Sequence, residues 1–220
     1  MNQLTPKQRA RIIACLVEGN SMRATQRMTG FAKKTVERVL REAGDACAKL
    51  LDDRMRNLTC TQIQCDEIWA FVGCKEKNAS PEDREAGTRG DVWTWVAIDP
   101  VSKLIPCHYV GDRSAQSAYR LIRDLQPRLA NRVQLTTDGH RAYLAAVQTA
   151  YAWQDIDFAQ LVKVYGNSFG EGRYSPGEFR GTEINVIKGA PDPTKICTSH
   201  VERANLTIRM SNRRFTRLTN

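Results

Sequence analysis

The chain has 220 residues, of which 41% are hydrophobic and 26% are charged, and its formal net charge at pH 7 is +9. This length accommodates one sizeable domain and a small one, and the composition is that of a soluble globular protein. Residues 1–13 are polar and basic, and no apolar run reaches membrane-spanning length, so we expect a cytoplasmic protein without a secretory signal or a membrane partner. The seven cysteines include no C-x-x-C pair, which argues against a disulfide framework and a structural zinc site.

The positive charge is concentrated at the two ends of the chain. Residues 1–57 carry twelve Lys and Arg side chains against six acidic ones, and residues 199–220 carry five Arg against one acidic side chain. Residues 58–198 are nearly balanced. Basic segments on both sides of a neutral body are typical of a protein that contacts a polyanion such as nucleic acid. A solvated basic surface would have the same composition, and charge alone does not exclude it.

The N-terminal part of the chain has the pattern of several short helices. Thr5-Pro6 is a typical helix start, and Ser21 is a typical cap for a second helix. A third helix is predicted over residues 32–43, with Gly44 as its stop. A linker helix is predicted over residues 45–56.

Two of these helices, separated by a turn that contains Gly30, predict a helix-turn-helix domain over residues 1–57. In such a domain the second helix of the motif enters the major groove of DNA, and here that helix is basic. A three-helix cap with a solvated basic face would show the same pattern. The side chains predicted to contact DNA are Lys33, Lys34, Thr35, Arg38 and Arg41.

From residue 58 to residue 220 the pattern predicts a mixed α/β domain. Strands are predicted over residues 61–72, 91–98, 103–110, 133–137 and 161–165, helices after Ser114, over residues 139–149 and after Thr198 or Ser199, and loops over residues 75–89 and 166–181. Three meandering strands followed by alternating helices and strands describe a mixed sheet flanked by helices, as in the ribonuclease H fold.

Three acidic side chains are the candidate catalytic residues. Asp66 lies inside the first predicted strand, Asp138 ends the fourth, and Glu202 opens the last helix. In a sheet of this order the first and fourth strands are neighbours, so we expect Asp66 and Asp138 to lie side by side and a nearby helix to present Glu202. Converging carboxylates are costly to ionise unless a hard cation binds between them. We therefore predict that all three bind Mg²⁺, for which Mn²⁺ can substitute.

Each of these acids also has a structural interpretation. Asp138-Gly139 is a common turn sequence after a strand, and Ser199 and Glu202 have the spacing of a helix capping box. A lone Asp in a strand is more often a turn or edge residue, but Asp66 is surrounded in sequence by apolar residues and needs a specific reason to be there.

Several segments resemble bacterial transposases of the insertion-sequence-one family. They are Asp66-Glu67-Ile68-Trp69, residues 91–99, Thr137-Asp138-Gly139, residues 198–205 and residues 209–220. With the helix-turn-helix start, the resemblance covers nearly the whole chain. It implies a DDE triad at Asp66, Asp138 and Glu202, and metal-dependent cleavage and transfer of DNA strands after the terminal inverted repeats of an insertion sequence are bound. It also implies double-stranded DNA as the partner and a homo-oligomer assembled on it.

Basic side chains near the predicted triad are expected to contact DNA. They are His200, Arg203, Arg209, Arg213, Arg214 and Arg217. Members of the resembled family continue beyond residue 220, so a truncated or frameshifted copy is an alternative to an active enzyme. Two other functions stay open: a helix-turn-helix transcriptional regulator with a non-catalytic C-terminal domain, which leaves the three acids unexplained, and a ribonuclease H-like nuclease that cuts without joining.

Overall fold

The computed structural model describes residues 3–166, 177–212 and 215. Within this part of the chain the helices are α1 (Pro6–Val17), α2 (Met22–Thr29), α3 (Lys33–Arg54), α4 (Pro81–Glu85), α5 (Ala115–Leu125), α6 (Ala142–Ala150) and α7 (Ser199–Ser211). The strands there are β1 (Gln62–Val72), β2 (Gly90–Ile98), β3 (Cys107–Gly111), β4 (Gln134–Asp138), β5 (Asp157–Gly166) and β6 (Glu178–Lys188). None of the helices in the described ranges is both long and apolar enough to cross a membrane.

The contacts within the chain define two compact units. One contains residues 3–55 together with residues 203–212, and the other contains residues 56–202. The first boundary lies within two residues of the predicted one. Residues 203–212 group with the N-terminal helices, whereas the prediction assigns them to the second domain.

The first unit is built on α1, α2 and α3, and its helix ends follow local sequence signals. Thr5 caps α1 in a capping box with Gln8, Ser21 caps α2, and Gly30, with φ of 78°, ends α2 in the left-handed conformation. The predicted starts of α1 and α2 and the turn at Gly30 are therefore confirmed. Its core contains three fully buried side chains, Ile12, Val36 and Val39.

Helix α3 continues through Gly44 as a single helix of 22 residues. The predicted stop at Gly44 and the separate linker helix over residues 45–56 are wrong. A glycine inside a helix costs only about 1 kcal/mol relative to alanine, and the Ala, Lys and Leu residues that follow are good helix formers. Gly44 therefore lowers the helical propensity of α3 without ending it.

The second unit is a mixed sheet flanked by helices, which confirms the predicted fold class at this level. The described strands lie in the order β3-β2-β1-β4-β5-β6. β1 is antiparallel to β2 and parallel to β4, β4 is parallel to β5, and β5 is antiparallel to β6. One core cluster joins the sheet to α5 and α6, and its members include Ile63, Cys65, Trp95, Leu121, Leu135, Tyr143 and Phe158.

Several elements of this unit differ from their predictions. β5 begins at Asp157 rather than residue 161, because residues 157–159 already pair with β4. β3 begins at Cys107 rather than residue 103, because Lys103 has a positive φ of 64° and belongs to a turn in which the Asp99 carboxylate accepts a hydrogen bond from the Val101 N–H. Residues 81–85 form the short helix α4 inside the predicted loop. β6 occupies residues for which no strand is predicted, and its side chains are nearly all exposed, so they lack the alternation that marks a half-buried strand.

Candidate metal centre

The register of β1 on β4 places two of the predicted acids together. These strands pair in parallel with Cys65 opposite Thr137, so Asp66 and Asp138 follow directly on adjacent strands. Carboxylate oxygens of Asp66, Glu67 and Asp138 lie within 4.8 Å of one another. This group of three could hold a metal ion.

Glu67 is a member of this cluster that the sequence analysis does not identify. Its side chain is 2% exposed, its Oε1 has no hydrogen-bond partner among the described residues, and its Oε2 lies 3.6 Å from Arg113 Nη2. Successive side chains of a strand point to opposite faces, so Asp66 and Glu67 leave β1 on different sides. Because β4 ends at Asp138, carboxylates from both faces converge beyond its end. A neighbouring pair of acids beside a strand end is the signal that could have identified Glu67.

The surroundings of Glu67 disfavour its charged form. Burial, with the added charges of Asp138 and Asp66, raises the pKa of Glu67 to about 7 from an ordinary 4.5, and the Tyr143 phenol and the Arg113 guanidinium oppose this rise. The Tyr143 hydroxyl and Glu67 Oε1 do not reach hydrogen-bond geometry with each other or with any described residue. A buried carboxylate oxygen without a partner, beside two further carboxylates, fits a divalent cation, because the ion would supply both the missing partner and the missing positive charge.

Glu202 lies at the same cleft, where it is paired with a lysine. The cleft has a volume of about 550 Å³, and its lining includes Asp66, Asp138, Lys163, Thr198 and Glu202. Lys163 Nζ donates hydrogen bonds of 2.7 and 2.6 Å to Glu202 Oε1 and Oε2, and Thr198 Oγ1 donates one of 2.6 Å to Oε1. The bond to Glu202 raises the pKa of Lys163. Glu202 therefore faces the cleft of the other two predicted acids, with its charge balanced by an internal cation.

A buried glutamine attaches α7 to β1 beside this cleft. Gln64 is 1% exposed, and its Oε1 accepts hydrogen bonds of 3.1 Å from the N–H groups of both His200 and Val201. The first N–H groups of a helix have no partner within the helix, so Gln64 acts as their cap. Because Gln64 and Asp66 alternate onto the same face of β1, this cap brings the start of α7, and with it Glu202, to the face that carries Asp66.

Asp138 is held in place by its own turn and by β5. Its Oδ1 accepts a hydrogen bond of 3.0 Å from the His140 N–H, and Gln160 Nε2 donates to the main-chain carbonyls of Asp138 and His140 at 2.9 and 3.2 Å. The His140 ring stacks on Trp95, with 5.7 Å between their centroids. Burial, and then the positive charge of Arg113, lower the pKa of His140, and the Asp138 charge opposes them. The His140 ring is thus favoured in its neutral form beside the acids.

The predicted DNA-contacting side chains have varied surroundings. Lys33, Lys34, Arg38 and Arg41 are exposed on α3, and Thr35 is half-buried. His200 and Arg203 are exposed, Arg209 is half-buried, and Arg213, Arg214 and Arg217 lie outside the described residues. His200 Nδ1 lies 2.8 Å from Lys103 Nζ at the start of α7.

Comparisons with known proteins do not assign this chain to a family. No family model matches the chain, and no curated protein matches it. A search of solved structures finds endonuclease V from Bacillus subtilis at 14% sequence identity and a TM-score of 0.25. The match covers 60% of this chain and 57% of the endonuclease chain. So low a TM-score does not establish a shared fold.

Proposed function

We propose that the protein is a transposase of the insertion-sequence-one type, which cleaves DNA strands with the help of divalent metal ions and transfers them to new sites. The observation that carries this proposal is the convergence of Asp66, Glu67 and Asp138 within 4.8 Å, at a cleft that Glu202 also lines. These residues come from three separate parts of the chain, and the buried Glu67 Oε1 has no hydrogen-bond partner among the described residues. Clustered acids in a cleft are typical of metal-assisted phosphodiester chemistry.

The topology supports the same proposal. The order β3-β2-β1-β4-β5, with an antiparallel β1–β2–β3 meander and parallel β4 and β5, is the one expected for a ribonuclease H-like sheet. In that arrangement the candidate site lies where β4 ends against the middle of β1. A helix-turn-helix unit on the same chain would provide the recognition of terminal inverted repeats that a transposase requires.

The residues of the cleft have separable roles under this proposal. Asp66, Glu67 and Asp138 would hold one cation, and Asp66 and Glu202 would hold a second. Bound Mg²⁺ supplies a Lewis acid that activates a water or a DNA 3′-hydroxyl and stabilises the leaving oxygen. Lys163 balances the charge of Glu202 in the metal-free protein, and if Glu202 held a metal ion, the Lys163 ammonium group would be available to a DNA phosphate.

The first test of the proposed function is a metal-dependent nicking assay combined with thermal unfolding. Mg²⁺ or Mn²⁺ at a hundred times its Kd should add about 2.7 kcal/mol to the free energy of unfolding, which corresponds to a rise in melting temperature of roughly 5–10 °C. The same ions should be required for the nicking of DNA that carries the terminal repeats. If neither ion changes the melting temperature or permits nicking, the proposal fails.

A strand-joining assay separates the transposase from a nuclease that only cuts. A DNA end with a free 3′-hydroxyl should be joined to a target duplex in the presence of Mn²⁺. Nicking without any joining would favour the nuclease. DNA binding without metal-dependent nicking would instead favour a helix-turn-helix regulator.

Recognition of the DNA ends is predicted to depend on α3. Lys33, Lys34 and Arg38 are exposed on this helix, while Val36 and Val39 bury its other side. Changing the three basic side chains to alanine should weaken repeat binding and reduce the slope of log K against log salt by about 0.9 for each lost phosphate contact. A control triple variant removes the same charge from exposed positions of the same unit: Lys7→Ala, Lys49→Ala and Arg54→Ala. Equal effects of the two variants would assign recognition to another surface.

A further inference from the structure

An aromatic surface continues from the acidic cleft along β1 and β2. The pairing of β1 with β4 ends at Cys65, whereas its pairing with β2 continues to Val72 opposite Gly90. β1 and β2 therefore continue as a ribbon beyond the strand end at which the carboxylates meet, with β3 paired to β2 as far as Trp93. The ribbon starts at Glu67 and lies next to the candidate metal centre.

One face of this ribbon carries three aromatic side chains. Trp69 and Trp93 are directly opposite each other in the antiparallel register, so they share a face, and Phe71 follows Trp69 on that face. The ring centroids of Trp69 and Phe71 are 5.8 Å apart. All three side chains are only half-buried. Helix α5 begins beside this row of the sheet, at Ala115, and Trp93 lies at the margin of the core that α5 covers.

Two exposed cations lie against these rings. The Arg113 guanidinium is 4.5 Å from the centre of the Trp93 ring, and the Lys75 ammonium is 5.5 Å from that of Trp69. Arg113 also lines the acidic cleft and is 3.6 Å from Glu67, so it links the aromatic face to the metal centre. Aromatic rings interleaved with cations suit a ligand that has flat faces and negative charge, and the cations would repel a cationic or methylated-lysine ligand.

We propose that Trp69, Phe71 and Trp93 form a stacking surface for an unpaired nucleobase next to the phosphodiester that is cleaved. This inference rests on the proposed function, which places the scissile DNA in the adjoining cleft. A strand can enter a cleft of this kind more readily when the flanking base leaves the duplex, and an aromatic surface offsets part of the cost of unstacking that base. Arg113 and Lys75 would then contact the phosphates on either side of the base.

The test is DNA binding in EDTA, where no cleavage occurs, so that the result does not depend on catalysis. The probes are a blunt duplex, the same duplex with a three-nucleotide single-stranded extension, and a version in which the first unpaired nucleotide is abasic. Stacking on an aromatic side chain contributes about 1–3 kcal/mol per base, so wild-type protein should prefer the extended duplex over the blunt and abasic ones by about tenfold.

Variants of Trp69 assign this preference to the ribbon. Trp69→Leu should abolish the preference, and Trp69→Phe should retain most of it because the aromatic face is kept. Trp153, which is 98% exposed on the turn after α6, provides the matched control, and Trp153→Leu should change nothing. If the wild-type protein binds the abasic and intact probes equally, the inference is wrong. This result does not depend on whether the variants fold. A melting temperature for each variant shows whether a loss at Trp69 reflects unfolding.

The outcomes also separate this inference from the proposed function. Mg²⁺-dependent nicking without a preference for the unpaired base would overturn the stacking surface and leave the transposase proposal intact. A Trp69-dependent preference without any nicking would overturn the transposase proposal and leave a nucleobase-binding surface. Absence of all DNA binding would overturn both.

Discussion

An Asp138→Asn protein is expected to nick DNA at least about a thousandfold more slowly than the wild-type protein, and an Asp66→Asn protein should show the same loss. Both carboxylates contribute oxygens to the cluster beyond the end of β4, and a neutral amide oxygen is a weaker ligand for a divalent cation than a carboxylate oxygen. The measurement is the rate of Mg²⁺-dependent nicking on repeat-bearing DNA, with repeat binding measured in parallel. Binding should be unchanged, since α3, the proposed recognition helix, is not altered.

Controls distinguish loss of metal chemistry from loss of structure. The Asp138 charge contributes to the raised pKa of Glu67, so its removal relieves repulsion and the metal-free Asp138→Asn protein should melt no lower than the wild type. Its melting temperature should no longer rise with Mg²⁺. Asp155, whose side chain is 82% exposed, is the matched control, and Asp155→Asn should leave nicking unchanged. Because the acids act as a unit, the double variant of Asp66 and Asp138 should be no slower than either single variant. Additive losses would contradict a shared metal centre.

The second prediction with a large effect concerns Glu67 and Glu202. We expect their substitutions to have different effects on Mn²⁺ binding and on DNA nicking. Glu67→Gln should weaken Mn²⁺ binding at least about tenfold, because a buried charged ligand is lost from the cluster. It should also change the pH dependence of the metal-free protein. Since the folded-state pKa of Glu67 is raised to about 7 from 4.5, the wild-type protein should lose stability as pH rises between these values, and Glu67→Gln should lose less. If the Mn²⁺ affinity of Glu67→Gln were unchanged, Glu67 would not be a metal ligand, and its role would be limited to packing against Tyr143.

Glu202→Gln should instead reduce nicking by at least about a hundredfold while leaving the first Mn²⁺ ion bound. Its metal-free stability should change little, because the Lys163–Glu202 pair is partly exposed, at 37% and 40% for the two side chains. Lys163→Met provides the control, since removal of the competing ammonium should tighten Mn²⁺ binding in the wild-type background and have no effect in Glu202→Gln. Equal tightening in both backgrounds would show that Glu202 does not bind metal.

The local elements of this protein could largely be predicted from its sequence. The caps at Thr5 and Ser21, the turn at Gly30 and the cap at Ser114 depend on hydrogen bonds between residues a few positions apart, so the sequence contains all the information they require. The same holds for β1, whose β-branched and aromatic residues define its span. The mixed α/β class follows from the order of these elements.

Predictions from local sequence signals failed where contacts between residues far apart in the sequence determine the structure. β6 exists because β5 offers it a partner, although Gly181 and exposed charges obscure any strand pattern. The capping of α7 follows the same rule, although the helix begins at Ser199 as predicted. Its spacing predicts a capping box between Ser199 and Glu202, yet Glu202 accepts a hydrogen bond from Thr198 and the helix N–H groups bond to Gln64, 136 residues away from His200.

The sequence by itself identified Asp66, Asp138 and Glu202 as candidate metal ligands, and only the tertiary structure showed which carboxylates lie together. Asp66 and Asp138 could be expected together because strand order dictates that β1 and β4 are neighbours. Alternation along a strand does not place Glu67 there, since it predicts that Glu67 faces away from Asp66, and the two faces converge only beyond the end of β4 at Asp138. The partner of Glu202 was equally hidden, because Lys163 reaches it through the pairing of β5 with β4 and the docking of α7 by Gln64. Side-chain convergence depends on strand ends and helix docking, which long-range packing determines.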